Sequence, residues 1–320
     1  MRSFLPLIIR VTSSARQISA GKIAVWMFFG LVCNHTCFGQ ASRPGLSGMC
    51  PSKFLVIKHT LAPGRSFKTS NGSSVNYNQE DVYFKVWLPI FHKPNFYLLT
   101  APQYRTEQLE FKNTSHSEAN AISNWNLRSM GLDLRACVHI DSSSWLIGSF
   151  NVSRSGNLSD IPDHRIPLSI TAGAVFLKKK SLYKEIGYGF VVNKGYNRFS
   201  VLPVLVFNYN FSAKSGIEIS LPHKIAWRHN LSPSDILSIR AESSSRNYTL
   251  LNQENQLNNF RRTDVDLGVA YNKCITKFVG VELSTAYRQN ISLKFPCDIA
   301  PATKSGMVFA VEVYLRPPVK

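Results

Sequence analysis

Histidines placed close to serines are the first residues in this chain that could do chemistry. His139 precedes Ser142, Ser143 and Ser144, and His116 adjoins Ser117. A histidine that takes a serine's proton makes a nucleophile for ester bonds. Serines beside turns also cap free backbone groups, and here that simpler role accounts for them, with His139 as an inward polar residue at a strand end. Neither His-Glu-x-x-His nor Gly-x-Ser-x-Gly occurs, and there is no phosphate-cradling glycine loop. No catalytic residue and no cofactor is therefore assigned. Of the six cysteines, Cys50, Cys137, Cys274 and Cys297 lie far apart in sequence. A zinc site is built from close pairs of thiolates, so none is assigned. In an oxidising compartment, Cys274 with Cys297 is the pair to test for a disulfide.

A third group of residues offers different chemistry. Asp133, Arg135 and His139 alternate with apolar neighbours, as do Arg240, Glu242 and Arg246. Asp264, Asp266, Glu282, Arg288 and Glu312 continue the pattern. Charges of both signs on one face suit a wet interior. There they either select ions, as rings of charge do in pores, or pair and fill a narrow barrel. The whole chain carries 37 Lys and Arg against 19 Asp and Glu, a net charge of +18. That surplus favours small anionic solutes and lipid phosphate. Nucleic acid is excluded because the basic residues scatter, with Lys178-Lys179-Lys180 as the longest run.

The elements that must position these charges are strands. Period-two alternation, the mark of a strand with two unlike faces, dominates from about residue 80. It is plain in Leu132–Ile140, Leu237–Glu242 and Phe309–Arg316. Twelve segments can be marked: 81–91, 95–111, 127–140, 144–154, 166–178, 183–193, 198–211, 215–229, 235–250, 261–273, 277–291 and 305–316. Residues 53–61 offer a further strand, and Pro222 splits 215–229 if a turn is hidden there, since proline cannot donate to a ladder. Single-chain outer-membrane barrels close on even strand numbers, so the expectation is twelve or fourteen. Connections alternate between short and long, except between 194 and 234, where a turn at Pro222 would restore the alternation.

Ahead of the strands, residues 23–33 form an apolar run preceded by Arg10, Arg16 and Lys22, with Cys37 and Gly39 before a cut at Gln40. This is the layout of a secretory signal peptide, and the run is about half of what a spanning helix needs. The organisation expected is a leader over 1–39, an N-terminal segment over 40–79 and a β-barrel over 80–320. Many strands reach about ten residues, the length a tilted strand needs to cross a bilayer, whereas soluble strands average about five or six. Aromatics near strand ends (Trp87, Phe91, Trp145, Tyr183, Tyr209, Trp227, Tyr271, Tyr287 and Tyr314) are placed to form interfacial girdles. The fold class is all-β: a closed antiparallel transmembrane β-barrel.

Val86-Trp87-Leu88-Pro89-Ile90, Leu98-Leu99-Thr100 with Tyr104, Leu202-Pro203-Val204, Ile219-Ser220-Leu221-Pro222 and the Phe309–Leu315 strand resemble bacterial outer-membrane β-barrel proteins of uncharacterised function. The resemblance covers roughly residues 52–316. It implies the bacterial outer membrane as location and the barrel-assembly machinery and outer-membrane lipids as partners. It carries no catalytic residues to transfer. One departure is the C-terminus, which continues as Arg316-Pro317-Pro318-Val319-Lys320 instead of ending on an aromatic. The function expected is a channel or binding barrel for small solutes, without enzymatic activity. The alternatives are a lipid-modifying enzyme and an interaction barrel that uses its long loops.

Overall fold

The computed structural model describes residues 44–68, 74–112, 126–157, 165–195, 198–251, 257–294 and 302–317. The expected leader, His116, Ser117 and Cys297 lie outside the described residues.

Sixteen strands follow one another: β1 (Leu55–Lys68), β2 (Ser74–Val86), β3 (Leu88–Lys93), β4 (Phe96–Lys112), β5 (Leu127–Asp141), β6 (Ser144–Gly156), β7 (Ser169–Ser181) and β8 (Lys184–Gly195). Then come β9 (Arg198–Asn210), β10 (Ser215–Leu221), β11 (Lys224–Asn230), β12 (Asp235–Leu251), β13 (Leu257–Cys274), β14 (Val279–Lys294), β15 (Ala302–Lys304) and β16 (Gly306–Leu315). β3 continues β2 past Trp87, since both pair with β4. β15 and β16 likewise pair in turn with β1 on either side of Ser305. The wall therefore has fourteen staves, each antiparallel to its neighbours, and β1 closes it against both β2 and β16. Closure leaves no strand edge facing lipid, the condition for a sheet to span a membrane.

Both additional strands allowed by the sequence are present. The one at 53–61 is β1, and Pro222 with His223 makes the turn between β10 and β11. That turn restores the up-and-down order between 194 and 234. β1 and β2 also place staves upstream of residue 80. Six links gather at one end, between β3 and β4 and at 142–143, 182–183, 211–214, 231–234 and 275–278. They span two to four residues each, whereas the opposite end carries the longer 113–126, 157–168 and 295–301.

Alternation sorts the wall into two faces. One parity presents apolar side chains outward, including Ile57, Leu132, Phe190, Leu205, Ile239, Leu267 and Phe309, all 46–54% exposed. They form a belt around the barrel. A soluble monomer rarely exposes a contiguous apolar surface larger than a few hundred Å², so this belt is a lipid face. Among the described residues no helix is long and apolar enough to cross a membrane.

The aromatic girdle is only partly as expected. Tyr183, Tyr209, Trp227 and Tyr287 are exposed, but Trp145 and Tyr314 are buried at 2% and 0%. Trp145 packs inside with Cys137 and Leu177, Tyr314 donates to Asn272 Oδ1 at 2.8 Å, and Trp87 stacks under two cations. Trp145 and Tyr314 lie near strand ends and Trp87 at the joint between β2 and β3, and all three fill interior space.

Candidate functional site

The lumen is the candidate site, and it has three levels. At the short-turn end, residues 44–54 run into the barrel before β1 begins. Gly45 N–H donates to Glu185 Oε1 on β8 at 2.8 Å, and Asn210 Nδ2 on β9 donates to the Ser47 carbonyl at 2.9 Å. Lys53 donates to Glu282 on β14 at 2.8 Å and pairs with Glu312 on β16. Burial works against the Lys53 charge, but these two carboxylates outweigh it and hold the ammonium well above the usual lysine value. Gly48 lies at φ +76° against Arg228, where a Cβ would come within 2.6 Å of Asn230 Nδ2 and 2.9 Å of Arg228 Nη1. Only glycine fits both that backbone conformation and that approach. The segment is thus a fitted stopper. On its rim side is a hollow of about 550 Å³ that includes Met49, Lys214, Cys274 and Arg316. Cys274 is a free thiol there, accepting from Arg316 Nη1 at 3.0 Å.

At the long-loop end, charged side chains cross the lumen. Glu107 on β4 is fully buried and accepts from Arg262 on β13 at 2.5 Å and from the Tyr248 hydroxyl on β12 at 2.9 Å. Asp81 on β2 takes Arg105 at 2.8 Å and Arg246 at 3.2 Å. Arg288 grips Asp266 through two nitrogens at 2.6 and 2.7 Å. Arg262 meets Asp264 at 2.6 Å. These pairs join β12 and β13 to β2 and β4, and Arg288 on β14 donates to Gln79 on β2 at 3.3 Å. They are reinforced where β12 reaches β6, Thr249 lying beside Gly156. A Cβ at Gly156 would lie 2.2 Å from the Thr249 carbonyl oxygen, so glycine makes that contact feasible.

Between the two ends lies a cavity of about 190 Å³ bordered by Trp87, Asp133, Arg135, Ser149, Asn151 and Thr171. Asp133 is neutralised by Lys85 and takes a hydrogen bond from Asn151. The Arg135 guanidinium lies 4.6 Å from the centre of the Trp87 ring. Lys85 also lies over that ring, at 4.3 Å.

Of the charges singled out in the sequence, Asp133, Arg135, Arg240, Glu242, Arg246, Asp264, Asp266, Glu282, Arg288 and Glu312 share the inward parity, and so does His139. The structure draws them into separate groups. Arg240 bridges Glu282 at 2.7 Å and Glu242 at 3.4 Å near the Lys53 anchor. Arg246, Asp264, Asp266 and Arg288 belong to the long-loop end, and Asp133 and Arg135 to the middle. Sequence reading passed over Asp81, Arg105, Glu107, Arg228 and Arg262. Glu107 shares the parity of Gln103 and Arg105, so the alternation carried a signal for it, but its cross-barrel partners are 141 and 155 residues away.

The serine–histidine pairing near His139 does not form. His139 stacks on Trp145 at 5.8 Å. Its Nε2 has no hydrogen-bond partner among the described residues. Ser215 and His229 do share a hydrogen bond of 2.7 Å, with His229 flat on Trp227. Among the described residues no group of three or more metal-ligating side chains assembles.

The family described as a domain of unknown function, DUF6268, matches residues 99–295, more than half of the chain. The chain belongs to this family. The match begins within β4 and ends just past β14, so it takes in Glu107, Arg135, Arg262 and Arg288 and leaves out the stopper. No curated relative matches the sequence. Among solved structures, the chain is similar to the COG4313 outer membrane channel from Pseudomonas putida F1, with a TM-score of 0.50 at 8% identity over 88% of this chain and 100% of that one. It is also similar to a variant of the TodX monoaromatic hydrocarbon channel, with a TM-score of 0.43 at 8% identity over 85% and 92%. The translocator domain of the autotransporter NalP from Neisseria meningitidis gives 0.36 at 11% over 93% and 98%. At such identities the likeness to the first is one of fold: this DUF6268 chain has the closed antiparallel architecture of outer-membrane barrels.

Proposed function

We propose that this protein is a bacterial outer-membrane barrel that passes or binds small anionic solutes. The apolar belt and the closed wall support the membrane location, and the asymmetry of the links orients the short-turn end toward the periplasm. Export through the leader and insertion by the barrel-assembly machinery belong to the same reading, with outer-membrane lipids as the surrounding partner. The observation that carries the solute part is Arg135, an exposed guanidinium on the inner wall that pairs with no acid among the described residues, whereas Lys53 at one end and Arg262 and Arg288 at the other are engaged by carboxylates. The reading includes no nucleic acid and no cofactor.

The test is planar-bilayer recording of the chain refolded from Gln40 under a salt gradient. The full chain should conduct weakly and a form lacking residues 44–52 strongly, both with anion preference. Silence from both forms would overturn the channel.

The Ser215–His229 hydrogen bond favours a second reading, a lipid-modifying enzyme, since both residues lie on the lipid-facing parity of β10 and β11. Hydrolysis of phospholipid that disappears in Ser215→Ala would support it. Absence of any turnover by the purified barrel would end it.

A further inference from the structure

The wall closes around its circumference, but two of its staves stop short. β10 pairs with β9 only as far as Leu221 against Leu205, and β11 with β12 only as far as Lys224 against Glu242. β9 runs on to Arg198 and β12 to Leu251, and among the described residues the two do not pair with each other. Asn210 N–H on β9 donates to the Tyr183 carbonyl, on the β8 side. Successive residues of a strand send their backbone groups to opposite sides, so Phe199, Val201 and Pro203 turn theirs away from β8 and into the gap. On β12, Ser243 N–H donates to the His223 carbonyl in the turn. The backbone of Ser245 and Asn247 therefore faces the same gap. Pro203 has no N–H to leave unmatched there. Beyond the gap the rim joins again. Thr249 meets Gly156 at the end of β6, and a Cβ on Gly195, at the end of β8, would lie 3.7 Å from Asn247 Nδ2.

The gap lies at the depth of the lipid face. Leu205 at its lower corner and Val201 along its flank are 53% and 54% exposed on the outer parity of β9. The flank formed by residues 199–204 of β9 extends about 20 Å along the strand. At the level of the turn two strands separate β9 from β12, a spacing of about 14 Å. Backbone groups without a strand partner persist at that depth only where they line a wet opening. The gap is therefore continuous with the lumen. Leu202 agrees: it has the inward parity of Val204 and Asn208, which are buried, yet it is 44% exposed.

The inner wall that leads to the gap is apolar. Ile147 on β6, Val175 on β7, Gly189 on β8 and Val204 on β9 lie opposite one another in register, one row that ends at the β9 flank. That flank has no charged residue from 199 to 204, and Arg246 on the β12 flank is engaged by Asp81. We infer that the gap is a side window, through which an uncharged and mainly apolar molecule, an alkyl chain or a single ring, passes between the lumen and the bilayer. A charged solute would give up its water in lipid without compensation. An apolar one leaves a wet lumen for lipid and gains by it. The inference goes beyond the anion reading, since it needs the barrel in a membrane but not Arg135.

The experiment has a structural and a transport arm. In vesicles containing lipids with nitroxides on their chains, a fluorophore at residue 202 should be quenched as strongly as one at the lipid-facing residue 201. One at residue 284, which shares the inward parity of Glu282 on β14, should not be. Lengthening the β10–β11 hairpin by two residues on each side of Pro222-His223 fills the gap, and it should cut quenching at 202 at least threefold. For transport, the probe is N-phenyl-1-naphthylamine, an uncharged apolar dye that fluoresces on reaching lipid. Intact cells carrying the barrel in their outer membrane should take it up at least threefold faster than cells without it. Both the lengthened hairpin and Leu202→Trp, which blocks the window without altering the turn, should abolish that gain. Heat-modifiable migration of each variant on gels verifies the fold. Quenching at 202 no stronger than at 284, or dye entry unchanged by both variants, would overturn the window. The two readings fail separately. Dye entry that the variants abolish, in a barrel that never conducts, supports the window and removes the anion channel. An anion-selective conductance with residue 202 shielded from lipid does the reverse.

Discussion

Glu107 and Arg65 show how differently two buried charges behave at the scale of single residues. Glu107 is fully buried and receives Arg262 and Tyr248. Removing it leaves a desolvated guanidinium uncompensated, which typically costs about 3–5 kcal/mol. Glu107→Ala should therefore lower the urea midpoint of the refolded barrel by that equivalent, while Glu242→Gln, whose carboxylate is partly exposed, should shift it little. Arg65 is also fully buried, yet its three guanidinium nitrogens have no hydrogen-bond partner among the described residues. A buried charge without a hydrogen-bonded partner carries a desolvation penalty that no hydrogen bond offsets. Arg65→Met should therefore leave the midpoint unchanged or raise it, and a loss of several kcal/mol would show that the guanidinium has a partner in the folded barrel. The inward parity of the charges was legible in the alternation of β5, β12 and β14. Which of them meet was not, because Asp81, Glu107, Arg246 and Arg262 come together across the lumen and not along a strand.

Two elements depart from an even barrel, and each makes a prediction. β10 and β11 have seven residues apiece beside the 13 of β9 and 17 of β12. Seven residues extend about 24 Å along the strand, and a tilt of about 40° leaves roughly 18 Å of height against an apolar band about 25 Å tall. The Pro222–His223 turn should thus sit within the depth of the bilayer. A fluorophore at residue 223 should be quenched by nitroxides partway down the lipid chains, and one at residue 258, near the long-loop end of β13, should not. Equal quenching at both sites would place the turn at the rim. The second element is the stopper. Gly48→Val cannot keep the contact with Arg228, so it should raise conductance toward that of the form lacking residues 44–52, without altering gel migration. Lys53 anchors the same segment. Its folded value lies above the free one, so the anchor is fully present below about pH 10.5 and is lost only as the pH rises through the folded value. Conductance of the full chain should accordingly remain low up to about pH 10.5. An increase between pH 7 and 9 would show that other contacts govern the segment.

The whole molecule is a membrane wall around an interior whose described residues occupy the two ends by different means. One end has a fitted segment of the chain, the other a layer of ion pairs. A closed antiparallel wall resists detergent until its ladder melts as a unit, so the chain refolded from Gln40 should migrate faster unboiled than boiled, with β-rich circular dichroism. A chain that stays soluble without detergent and shows no shift would remove the membrane reading. The contrast between the ends also predicts how each opens. Shortening the segment acts on conductance alone, whereas Glu107→Ala acts on stability first, because β12 and β13 are joined to β4 through it.

By itself the sequence determined the class, the staves and their faces. Alternation is a local property with a period of two, and β5, β12, β13 and β14 display it wherever one side meets lipid and the other water. The count of fourteen depended on two weak local signals, the apolar run at 53–61 and the proline at 222, which the strand pairing turned into β1 and the β10–β11 turn. The tertiary structure alone decided the rest. Trp87, Trp145 and Tyr314 point inward because the interior near the short-turn end has space to fill, which no strand records in its own residues. Residues 44–54 carry no periodicity and became a stopper only through contacts with β8, β9, β11, β14 and β16. The Arg135 cavity follows the same logic: its free charge exists because Lys85 and Asn151, 48 and 18 residues away from Asp133, have already taken the neighbouring acid.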